Sequence, residues 1–139
     1  MAFDSSPLRV EVVSADGLIW EGDADQVIAR TTEGDIGILS HHEPFFGVLV
    51  PSAVEVITSD GNREIIAVDG GFLSVAENRV SLLNAYARLA GEIDQAEAER
   101  QLNQAQLALE KGDVSTETMQ SYHRASAQVR AAAKAAGRH

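Results

Sequence analysis

The period of the apolar pattern changes once in this chain, near Ala85, and that change limits the fold to a β body followed by a helical tail. Before it, Leu8, Val10 and Val12 alternate with Arg9, Glu11 and Val13, the period-two signature of a strand with one buried face. After it no proline occurs, and Ala, Gln, Glu and Arg, all good helix formers, dominate.

Short strands are expected at 18–20, 26–31, 36–38, 48–50, 53–58, 63–68, 72–75 and 79–83. Turn chemistry punctuates them: Asp16-Gly17, Pro51-Ser52, Ser59-Asp60-Gly61-Asn62 and Glu77-Asn78. Eight to ten strands at this spacing predict a β-sandwich or barrel over residues 1–84, and an antiparallel sandwich is the expectation taken. Aromatics are only 5% of the chain, so its core must be built from Val, Ile, Leu and Ala.

The tail, 85–139, reads as two helices. Asp94 and Glu97 resemble a capping box, with Ile93 and Ala98 placed as a hydrophobic staple. Ala98, Leu102, Ala105 and Leu109 share a face, and Lys111-Gly112 stops the helix. Ser115 caps a second helix whose expected stripe is Met119, Tyr122, Ser126, Val129, Ala133 and Ala136. The short linker makes the pair an antiparallel hairpin. Its seam of Ala and Ser buries little area, so the hairpin is expected to be marginal and able to detach.

Charge divides the chain as the periodicity does. Residues 1–84 carry 14 acidic and 4 basic side chains, and 85–139 carry 7 of each, for a total of -10. Beyond Glu117 only Arg124, Arg130, Lys134 and Arg138 are charged, histidines apart. An acidic body argues against nucleic acid or an anionic membrane face as partner. The basic end suits docking to an acidic protein surface. No run of 18 apolar residues is present, so membrane insertion is not expected, and the N-terminus lacks the pattern of a secretory signal. Cysteine is absent, which removes disulfide, thiolate and Cys-zinc chemistry.

Motifs for catalysis are thin. There is no phosphate-loop pattern, and Gly34-Asp35-Ile36-Gly37 reads as turn chemistry. Ser40-His41-His42-Glu43 groups a nucleophile, bases and a carboxylate, but adjacent residues of an extended segment face opposite ways. A polar surface loop is the expectation there, with neither metal nor catalytic site. Asp69-Gly70-Gly71-Phe72 reads as a bulge or close backbone approach, and Trp20 as core or core rim.

Three segments in order then carry a resemblance. Gly34-Asp35-Ile36-Gly37-Ile38 followed by His42 and Pro44 resembles one family segment. Gly70-Gly71-Phe72 with Val75, Asn78 and Val80 resembles a second, and the N-terminal strand followed by Trp20-Glu21-Gly22 a third. Together with the two-helix tail they are similar to the epsilon subunits of bacterial F-type ATP synthases, over nearly the whole chain. The resemblance implies a non-catalytic rotor-stalk subunit without cofactor, peripheral on the cytoplasmic face of the plasma membrane, in a proton-translocating complex. Its sandwich would bind the gamma subunit and the membrane rotor ring, with Glu33, Asp35, His41, His42 and Glu43 as contact candidates. Its tail would rise towards the alpha and beta subunits and restrain ATP hydrolysis, with Arg124, Arg130, Lys134 and Arg138 as docking candidates. Some relatives bind ATP through an I-D-x-x-R-A segment. Here Ile93, Asp94 and Ala98 keep that pattern, but Glu97 replaces the arginine with an anion, which opposes a nucleotide-sensor role. A histidine-based metal hydrolase and an unrelated sandwich adaptor are the remaining alternatives.

Overall fold

A computed structural model describes residues 6–137; Arg138 of the expected docking set lies outside the described residues. Seven strands precede the helices: β1 Leu8–Ser14, β2 Gly17–Thr31, β3 Gly34–Leu39, β4 Phe45–Thr58, β5 Arg63–Ala76, β6 Arg79–Leu83 and β7 Ala87–Leu89. The expected β body is therefore present, with fewer and longer strands. Segments 18–20 and 26–31 are one strand of 15 residues. Segments 48–50 and 53–58 merge through Pro51-Ser52, and 63–68 and 72–75 merge through Gly70-Gly71. Turn-forming residues mark bends here, not ends. At Gly71, φ is +103, and a Cβ would lie 2.1 Å from the Leu83 carbonyl oxygen. Only glycine lets β5 pass that close to the end of β6.

The strand order is β1-β6-β5-β4-β2-β3, with β1 also pairing β2, so five strands close on themselves. Six of the seven pairings are antiparallel; β1 with β6 is parallel, a departure from the wholly antiparallel sheet expected. β3 and β7 each pair with one strand, β2 and β5 respectively. Inside sits an aliphatic core, with Leu8, Val10, Val12, Val27, Ile38, Val54, Val56, Ile66 and Leu82 fully buried. Trp20 and Phe45 pack at its rim.

A 3₁₀ turn, Ala90–Glu92, leads from β7 into α1 Gln95–Glu110 and α2 Thr116–Ala135. The caps are those the sequence predicts: Asp94 accepts from the Glu97 N–H at 3.1 Å, and Ser115 from the Thr118 N–H at 3.3 Å. The capping box is only half made, because the Glu97 carboxylate turns to Arg100 and Gln101. Gly112 takes φ +92 and ends the first helix, as a left-handed cap should. Asp113 then accepts from the Thr118 hydroxyl (2.7 Å) and the Ser115 N–H (3.1 Å), fixing the linker.

Helix α2 is the layer that covers the sheet. Ala127 and Ala131 are fully buried against Ile65 and Ala67 of β5, with Ala53, Ala90 and Ile93 around them. This seam lies between the residues of the expected α2 stripe, and Met119, Tyr122 and Val129 are only half-buried. The helix turns its smallest side chains to the sheet because they let it approach most closely. Helix α1 packs on α2, burying Ala98 and Ala105.

Candidate functional site

The tail is held on the sandwich by two polar clasps at either end of the alanine seam. In the first, the Asp69 carboxylate of β5 accepts from Arg124 Nε at 3.0 Å and from the Tyr86 N–H at 3.2 Å. The Arg124 guanidinium lies 5.1 Å from the Tyr86 ring centroid, and Gln128 donates to the Tyr86 hydroxyl. In the second, Glu55 of β4 takes Arg63 at 2.5 Å and Lys134 at 3.3 Å. Burial pushes the Glu55 carboxyl up, but hydrogen bonds from Arg63 and Lys134 outweigh it and hold it below its usual range. Two of the expected docking cations, Arg124 and Lys134, are thus paired with carboxylates of the sandwich. Arg130 is exposed beside them.

The five loop candidates do not form one cluster. Glu33 and Asp35 sit at the β2–β3 turn, whereas His41, His42 and Glu43 follow the far end of β3, about 20 Å away at ~3.3 Å per residue. Asp35 is engaged by Arg30 at 2.7 Å, and that hydrogen bond holds its carboxyl below the usual range. The His41 backbone takes φ +65, with its N–H on Asn78 Oδ1 at 2.6 Å. His42 Nδ1 lies 2.7 Å from the Glu43 carbonyl oxygen, and its ring meets Phe45 edge-on. Among the described residues no three His, Asp or Glu side chains converge as a metal site would require. Ile93, Asp94 and Ala98 line neither of two surface hollows beside the tail. One is about 590 Å³ and includes Tyr86, Arg88, Arg124 and Gln128; the other is about 260 Å³, at the end of α2.

A feature the sequence reading missed is an apolar stripe on the uncovered outer surface. Direct cross-strand partners carry it: Val48 with Phe72, Phe72 with Leu83, Leu83 with Val13, and Val13 with Leu18. Leu18, Val48, Phe72 and Leu83 are 44–54% exposed, and Phe46, 66% exposed, stacks on Phe72 at 5.6 Å. On β5 the outward positions Ile65 and Ala67 lie under α2, while Phe72 beyond the glycine pair is uncovered. The signal was present: Phe72, Leu83 and Val48 are apolar at positions whose neighbours Leu73, Leu82 and Leu49 already fill the core.

Residues 7–90 match the family described as "ATP synthase, Delta/Epsilon chain, beta-sandwich domain". The chain belongs to the ATP synthase delta/epsilon chain family. Relatives carry the likeness through the tail. An ATP synthase epsilon chain of Cutibacterium acnes is 43% identical over 97% of both chains. One of Streptomyces coelicolor is 45% identical over 93% of this chain and 98% of its own. Among solved structures, a chain from the Euglena gracilis mitochondrial ATP synthase OSCP/F1/c-ring complex superposes with a TM-score of 0.73 at 21% identity. That match covers 98% of this chain and 84% of the other, and shows a shared fold. A chain of the Tetrahymena thermophila central stalk and c-ring gives 0.56 at 16% identity, covering 96% and 98%. Within this family the Cutibacterium and Streptomyces relatives are ATP synthase epsilon chains. Among the described residues no helix is long and apolar enough to cross a membrane.

Proposed function

We propose that this epsilon chain is a non-catalytic rotor subunit of a proton-translocating F-type ATP synthase, peripheral on the cytoplasmic face of the plasma membrane. It couples the membrane rotor ring and gamma subunit to the catalytic head and restrains ATP hydrolysis through its tail. The observation that carries this reading is the 43% identity to a curated ATP synthase epsilon chain across sandwich and tail alike. Residues 1–84 act as the coupling unit and 85–139 as the regulatory one, with β7 tying the tail to β5. The stripe through Phe72 is the face for gamma: its exposed aliphatic and aromatic side chains suit a partner that desolvates them. Glu33, Asp35, His41, His42 and Glu43 remain the candidates for contact with the rotor ring.

The clasps suit a reversible brake. Arg124 and Lys134 cannot reach an acidic surface of the alpha and beta subunits while Asp69 and Glu55 hold them. Raising the tail exchanges one set of carboxylates for another, so its cost is small and its direction depends on the partner. Arg130 and Arg138 complete the docking set. The test is ATP hydrolysis by the parent complex with the full chain and with a chain ending at Ile93, which leaves β7 on the sheet. The expected result is faster hydrolysis with the shortened chain still bound. Unchanged hydrolysis with the subunit retained would remove the brake from this reading.

A further inference from the structure

The geometry points to a binding site for a small divalent oxyanion, inorganic phosphate or sulfate, in the hollow between the end of α2 and the outer surface of β2, β3 and β4. The hollow, about 260 Å³, is lined by Arg30 and Asp35 from the sheet edge, Ser52 and Ala53 from β4, and Arg130 and Lys134 from α2. Its size is ample for a small ion and lies just below the ~300 Å³ at which pockets begin to take drug-sized molecules.

Charge decides what enters. Arg30 is matched by Asp35, and Glu55 is shared between Arg63 and Lys134, so that trio keeps one positive charge. Arg130 has no ion pair or hydrogen bond among the described residues. The named groups are therefore left with two positive charges, in a chain whose net charge is -10. Two guanidiniums, whose planar forks fit tetrahedral oxyanions, come from opposite walls: Arg130 is unengaged among the described residues, whereas Arg30 holds Asp35 through Nε at 2.7 Å and a terminal nitrogen at 3.4 Å. Asp35 competes for Arg30, but both members of that pair are more than half exposed, and such pairs are weak. An anion seated here bridges β2 to α2 and ties the tail to the sandwich. That consequence bears on the brake proposed above, whereas the site itself rests on geometry alone.

The experiment is a titration of the isolated full-length chain with potassium phosphate at pH 8, followed by amide resonances, with potassium chloride holding ionic strength constant. Saturable shifts are expected at residues 28–30, 52–53 and 130–134. Arg130→Gln, which breaks no pair seen in the structure, should weaken apparent affinity at least tenfold while leaving the rest of the spectrum unchanged. Asp35→Asn should tighten it by freeing Arg30. Phosphate should also slow amide exchange in α2 of the natural chain but not of the Arg130→Gln chain. Shifts reproduced by chloride alone, or an affinity unmoved by Arg130→Gln, would overturn the site. Binding without slower exchange in α2 would overturn the bridge. Attachment to phosphatidylglycerol vesicles with no saturable response to inorganic phosphate would overturn the proposal in favour of a membrane surface. None of these readouts depends on ATP hydrolysis, so the site and the brake can fail separately.

Discussion

Replacing Asp69 with Asn tests whether a clasp, and not the alanine seam alone, holds the tail down. The Asp69 side chain is 11% exposed and accepts two hydrogen bonds, from Arg124 Nε and from the Tyr86 N–H. Asparagine keeps a carbonyl oxygen for Tyr86 but turns an amide donor, without charge, towards Arg124. A hydrogen bond to a charged group contributes about 1.5–3 kcal/mol. Arg124 is 38% exposed, and solvent screening reduces that to about 1–2 kcal/mol. At about 1.4 kcal/mol per tenfold, the tail should open roughly 5- to 30-fold more often. Amide exchange in the isolated subunit reads this directly: protection across 116–135 should fall by that factor while β4 and β5 keep theirs. Equal loss in α2 and in the sheet would mean that the whole domain, not the tail, had been weakened. Protection in α2 unchanged within twofold would refute the clasp.

Other consequences can be checked separately. Glu55 has its carboxyl held below the usual 4.5 by Arg63 and Lys134 against the effect of burial. Its contribution is therefore complete above 4.5 and drains as the pH falls through the lowered folded value, so α2 protection should be flat from about pH 6 to 8 and decline below about 4.5. Gly71→Ala combines φ +103 with a collision against the Leu83 carbonyl and should cost about 3 kcal/mol or more, roughly 10 °C in Tm by calorimetry. Gly61→Ala, at φ +88 in open space, should cost about 1 kcal/mol. Phe72→Ser, at a position 47% exposed, should leave Tm within a few degrees yet weaken capture of the gamma subunit at least tenfold.

What the sequence revealed follows from the range of the forces involved. Caps, turns and strand alternation are local, and Asp94, Ser115, Gly112 and the Glu77-Asn78 turn could be recognised from a few neighbours. Strand count was not local. Pro51-Ser52 and Gly70-Gly71 look like breaks, and the sheet uses them as bends because strands that close on themselves must curve. The parallel pairing of β1 with β6 depends on closure and leaves no mark in either strand. A second buried face of α2 also went unseen. Helical spacing of large apolar side chains picks out Met119, Tyr122 and Val129, which are half-buried, whereas the face on the sheet is Ala127 and Ala131 against Ile65 and Ala67, with Ala53 beside them.

The same distinction separates the basic tail from its partners. Composition showed that Arg124, Arg130 and Lys134 seek acids, and the fold supplies two of those acids at home, 55 and 79 positions upstream, as the pairs Arg124–Asp69 and Lys134–Glu55 show. A strong apolar seam would have made both clasps redundant and the tail immovable; Ala127 and Ala131 against Ile65 and Ala67 bury too little for that. On the proposed reading, the weakness of the seam hands control of the tail to groups that respond to charge: the clasp carboxylates, ionic strength, and any anion or acidic surface that competes for the same three cations.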